Sequence, residues 1–120
     1  MANILVVDDS PITRAMIMEF LQMLGHHVAG EAEDLAQTLA AYAAHRPGLV
    51  TLDLSMSREN GFTILRALRA VDPKAKVLII SGNSQPKIYE QLLAEGAAGF
   101  IAKPISIDAL AAALAKVLAA

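Results

Sequence analysis

The sequence predicts an α/β domain in which a parallel sheet is covered by helices on both faces, and three observations carry that prediction. Short apolar runs alternate with longer segments of helical spacing, five of each between Asn3 and Leu118, and such alternation requires parallel strands joined by right-handed crossovers. The central run, apolar at Leu49, Val50 and Leu52, suits a strand buried on both faces. Hydrophobic residues make up 55% of the chain and charged residues only 18%, yet no run approaches the ~18 apolar residues of a membrane span. The excess therefore belongs in two-sided strands.

In order, Ile4 to Val7 is a pure apolar run broken by Asp8-Asp9, after which Ser10 and Pro11 offer an N-cap and a first-turn proline. Ile12, Met16, Phe20 and Met23 carry the first helix, with Met16, Met18 and Met23 expected as core filler, and Gly25 stops it. His27 to Ala32 forms a second, weaker strand. Leu35, Leu39, Tyr42 and Ala43 recur at helical spacing until Arg46-Pro47. The central strand ends at Asp53, and Asn60-Gly61 starts a helix through Phe62, Leu65, Leu68 and Arg69, closed by Asp72-Pro73. Val77 to Ile80 is a short β-branched run ending in Ser81-Gly82. Ser84 and Pro86 open a helix with Ile88, Tyr89, Leu92 and Leu93, stopped by Gly96, and Gly99 to Ala102 forms a last strand ending in Lys103-Pro104. Ser106 caps a final helix through Leu110, Leu114 and Leu118.

A chain of 120 residues fits one domain, residues 1–120, with enough core to need no disulfide, and Cys 0 offers none. Met1-Ala2-Asn3 leads straight into a strand with no signal peptide, so the expected location is cytoplasmic. Ten Lys and Arg against twelve Asp and Glu give a net charge of −2, and the basic residues are scattered. Neither direct nucleic-acid binding nor membrane insertion is expected. The chain stops two residues after Leu118, which favours a stand-alone protein over a piece cut from a longer one. His26 and His27 are adjacent, without the spacing that puts two histidines on one helix face, so they are read as a loop pair and not a metal site.

The residues that end the strands gather the chemistry: Asp8 and Asp9 after the first, Asp53 after the third, Ser81 after the fourth and Lys103 after the fifth. In an open parallel sheet all lie on the carboxyl rim, where ligands bind. Three carboxylates there repel, raising at least one pKa unless a cation sits among them. Oxygen-only ligands with room for water suit Mg²⁺ better than Ca²⁺. A hydroxyl and an ammonium opposite would receive an anion, phosphate above all, with Asp53 placed as the nucleophile.

These five groups, in order and spacing, resemble the motifs of a response-regulator receiver domain over Asn3 to Leu118. The resemblance implies a doubly wound (βα)5 flavodoxin-like fold with strand order 2-1-3-4-5. It implies that Asp53 is the phosphoacceptor, that Asp9, Asp53 and the Ser55 backbone carbonyl ligate Mg²⁺, and that Asp8 acts through water. Ser81 and Lys103 would contact the phosphoryl oxygens, while Ser81 and Phe100 would form the switch. Ser55 and Asn83 fall at the positions that tune self-dephosphorylation. The implied partners are a histidine kinase or histidine phosphotransfer protein and an unknown output protein meeting the fourth helix, fifth strand and fifth helix. The chain departs from the usual pattern at Ser57 (commonly Pro), Asn60 (often Asp), Gly82 (usually Ala) and Phe100 (commonly Tyr).

The rivals fit less well. A haloacid-dehalogenase phosphatase wants a second Asp where Ser55 stands, and a flavodoxin would set its flavin phosphate against Asp8 and Asp9. A receiver used only for docking would have lost a carboxylate or the lysine. The expected protein is a signalling domain rather than an enzyme, with a phosphorylation-independent docking receiver, or one excised from a longer regulator, as the alternatives.

Overall fold

Alternation along each strand decides which helices cover which face of the sheet. A computed structural model describes residues 2–56, 60–82 and 85–119. It contains β1 (Asn3–Val7), α1 (Pro11–Met23), β2 (His27–Ala32), α2 (Leu35–His45), β3 (Leu49–Asp53), α3 (Gly61–Val71), β4 (Val77–Ser81), α4 (Pro86–Ala94), β5 (Gly99–Ala102) and α5 (Ile107–Leu118). All four pairings are parallel, and the sheet order is β2-β1-β3-β4-β5. This is the doubly wound (βα)5 flavodoxin-like fold.

Leu5, Val7, Val50, Leu52, Val77 and Ile79 point to one face and pack with Ile64, Leu65, Leu68 and Leu92 of α3 and α4, joined by Leu35, Leu39 and Tyr42 of α2. Ile4, Val6, Leu49, Leu78, Ile80 and Ile101 point to the other, against Ile17 and Leu21 of α1 and Leu110, Leu114 and Val117 of α5. β3 and β4 are buried at every position. That is where the apolar excess lies.

The helix ends follow their local chemistry. Ser10, Asp34, Asn60 and Ser106 each accept a hydrogen bond from a first-turn N–H, as good N-caps do. Gly25, at φ 87°, ends α1 while the His26 N–H reaches back to the Leu21 carbonyl, the left-handed stop that glycine permits.

α1 turns a different track of residues to the core from the expected Ile12, Met16, Phe20 and Met23. α1 buries Ile17 and Leu21, while Ile12 (84% exposed) and Met23 (66%) lie outside the core. Met16, Met18 and Phe20 pack only at its margin. The segment offers two adjacent apolar tracks one residue apart, and spacing alone could not choose between them. The core takes the track with the more compact side chains. Leu93 of α4 is likewise exposed. Ser84, the expected opening of α4, and Ser57 lie outside the described residues.

At the amino rim, far from the strand ends that carry the acids, the Tyr42 hydroxyl donates to Asp72 Oδ2 at 2.8 Å and ties α2 to the end of α3. Burial and the acceptor Asp72 push the Tyr42 phenol up to about 12, and the same bond, with the Lys74 N–H, holds the Asp72 carboxyl below its usual range. The raised phenol stabilises the fold below pH ~10 and loses that contribution as pH climbs through its folded value. The depressed carboxyl acts above the ordinary carboxylate range and loses its contribution as pH falls through its folded value. Tyr42→Phe is therefore expected to lower Tm by a few degrees at neutral pH, with the difference from wild type shrinking in strong acid and strong alkali. Thermal melts across pH check this.

Candidate functional site

Sheet register sets the site. Val7 lies level with Leu52, so the next residues, Asp8 and Asp53, emerge side by side from two central strands. Asp53 is level with Ile80, and Ser81 with Ala102, which brings Ser81 and Lys103 to the same rim. Asp8, Asp9 and Asp53 can place one carboxylate oxygen each within 4.8 Å of one another. Among the described residues this is the one such acidic or histidine cluster.

Asp53 is 3% exposed. Its Oδ1 accepts from Lys103 Nζ at 3.1 Å and from the Ser55 N–H at 3.0 Å, so the carboxylate is both neutralised and oriented. Ser81 is fully buried at the end of β4, and the Lys103 N–H donates to its carbonyl at 2.9 Å, fixing the base of the lysine. Lys103-Pro104 is a cis peptide.

Asp8 is fully buried, its Oδ1 accepting from the Ser10 N–H at 2.9 Å and its Oδ2 without a hydrogen-bond partner. Burial pushes its pKa up, the Ser10 N–H opposes this, and the Asp53 and Asp9 charges add to the rise while Lys103 offsets it. The repulsion expected from converging acids is thus present, but second to desolvation. A buried, unpartnered carboxylate oxygen in an all-oxygen cluster fits a hard, hydrated divalent cation.

Phe100 is half-buried on the α4 side, stacked on Tyr89 with ring centroids 3.9 Å apart and planes 12° from parallel. Asn83 lies outside the described residues. His26 Nδ1 accepts from the Ala2 N–H, an ordinary structural use. Sequence reasoning missed Arg14, whose Nη1 donates to the Asp8 carbonyl at 2.7 Å and whose Nε meets Glu31 at 2.6 Å. Neither residue carries a signal in the sequence, because their meeting depends on how β2 pairs.

The model for the response regulator receiver domain matches residues 4–115. The chain belongs to the response-regulator receiver family. This receiver is similar to protein CcdB of Bacillus subtilis, with 37% identity over 98% of both chains. It is also similar to the chemotaxis protein CheY of that organism, with 36% identity over 97% of both. Among solved structures it is similar to a chain from the CheX–CheY–BeF3–Mg²⁺ complex of Borrelia burgdorferi, at TM-score 0.92 and 28% identity, covering 97% of this chain and 88% of that one. Receiver domains belong to two-component signalling and are signalling domains, not enzymes. Among the described residues no helix is long and apolar enough to cross a membrane.

Proposed function

We propose that this receiver accepts a phosphoryl group on Asp53 from the phosphohistidine of a histidine kinase or histidine phosphotransfer protein, and thereby changes its affinity for an output protein. The observation that carries the reading is Asp53 itself, buried at a strand end, bound by Lys103 and set beside Asp8 and Asp9. In the transfer the donor's N–P bond breaks as an O–P bond to an Asp53 oxygen forms, and the histidine leaves. Lys103 exchanges part of its contact with the carboxylate for the incoming phosphoryl oxygens, and the Ser81 hydroxyl is the second group on that side. Positioning and charge supply the catalysis.

Asp8, Asp9, Asp53 and the Ser55 carbonyl are the residues that would hold Mg²⁺, with Asp8 acting through water. When bound, the ion draws charge from the phosphoryl oxygens. The relative solved with BeF3 and Mg²⁺ supports this reading.

Output falls to α4, β5 and α5, with Ser81 and Phe100 as the switch. Leaving Tyr89 and turning inward moves Phe100 between two packings, and burying a Phe is worth roughly 1.5–3 kcal/mol, enough for a graded response.

Incubation with an acyl-phosphate donor, read by intact mass, tests the reading. Phosphate gain is expected with Mg²⁺ and none with a chelator, and the adduct should be labile to hydroxylamine as an acyl phosphate is. A stable adduct, or equal gain without metal, would overturn it.

A further inference from the structure

We propose that Arg14, anchored by Glu31, is a positioning residue that fixes the Asp8 carboxylate within the acidic cluster, and that a bulge in β2 is what brings Glu31 to it. The inference rests on reading the site as a Mg²⁺-dependent phosphoacceptor.

Asp8 is held at three of its four polar atoms. Its N–H donates to the Ala32 carbonyl at 3.0 Å, its carbonyl accepts from Arg14 Nη1 at 2.7 Å, and its Oδ1 accepts from the Ser10 N–H at 2.9 Å. Oδ2, buried and unpartnered, is the atom left for a ligand. Arg14 makes its two contacts with one rigid fork, Nη1 on Asp8 and Nε on Glu31 Oε1 at 2.6 Å, and its side chain is only 14% exposed. A lysine cannot span both acceptors with that geometry.

Register explains Glu31. Ile4 pairs with Val28 but Leu5 pairs with Gly30, so the ladder skips Ala29. Past the skip, Glu31 lies opposite Val6 and Ala32 opposite Val7. Val6 faces the α1 layer and Val7 the α2 layer, so Glu31 faces Arg14. With no skip, Gly30 would take that place and Glu31 would point to the other layer. Bulges re-aim side chains in this way beside functional sites.

The test combines amide hydrogen exchange in metal-free protein with Mg²⁺ titration by calorimetry. In Arg14→Lys, Asp8 and Ser10 should exchange about tenfold faster and Mg²⁺ bind about tenfold more weakly, the scale of lost outer-shell contacts around a metal site. Core amides such as Val6 and Ile79 should keep wild-type protection. Glu31→Gln, which retains an acceptor for Nε, should lose much less than Glu31→Ala, and Glu31→Ala should add nothing in the Arg14→Lys background. Wild-type exchange and affinity in Arg14→Lys would overturn the clamp, as would protection lost evenly across the core. Wild-type protein that takes no Mg²⁺ would overturn the phosphoacceptor reading itself, which separates the two failures.

Discussion

Asp53→Asn is expected to reduce phosphoryl uptake to background while leaving the fold intact. The amide keeps an oxygen where Oδ1 accepts from Lys103 and Ser55, so neither loop loses its anchor. It lacks the anionic oxygen that must attack phosphorus. It also removes one of the charges that raise the Asp8 pKa, so the variant should melt at or slightly above the wild-type temperature, as happens where function stores repulsion. Intact mass after exposure to an acyl-phosphate donor, paired with a thermal melt, checks both parts. Uptake at the wild-type rate would place the acceptor elsewhere, and a large fall in Tm would make Asp53 a structural residue.

Gly61→Ala should be among the costliest single methyl additions. A Cβ at Gly61 would lie 2.7 Å from Leu54 Cα and 2.9 Å from the Leu54 carbonyl oxygen, and backbone atoms cannot swing aside as a side-chain tip can. Overpacking of this kind costs ~1–3 kcal/mol, read as a Tm lower by several degrees. Leu54 directly follows Asp53, and its N–H is held by the Ile80 carbonyl at 2.9 Å, so the clash presses on the backbone next to the acceptor at the end of β3. Phosphoryl transfer should therefore slow together with the loss of stability. Gly82→Ala is the control, since among the described residues a Cβ there meets nothing within 4 Å. It should leave both measurements unchanged.

The strands and the residues that end them were legible in the sequence for one reason: an apolar run that stops at a polar group marks both a strand and its rim. Asp8, Asp9, Asp53, Ser81 and Lys103 needed no knowledge of loops to be placed on one edge. Strand order was not written in the residues and came from resemblance. The buried face of α1 was illegible because Met16-Phe20 and Ile17-Leu21 are equally apolar tracks. Arg14 and Glu31 were illegible for a different reason, since their contact follows from a skipped residue in a ladder. The Tyr42 to Asp72 bond, linking residues 30 apart, leaves no periodic trace either.

The sheet order also divides the site mechanically. β1 and β3, which deliver the three acids, each have a strand on both sides, whereas β2 and β5 are the outermost strands with one neighbour each. Displacing β1 or β3 would break two ladders, but shifting β2 or β5 breaks only one. Glu31 rides on β2, and Lys103 follows β5. The acids thus follow strands held from both sides, whereas Glu31 and Lys103 belong to strands held from one side only. On β5, Phe100 lies level with Ile79 on the α4 face and Ile101 with Ile80 on the α5 face. That one outer strand therefore touches both helical layers, and any displacement of it would reach both sides of the molecule.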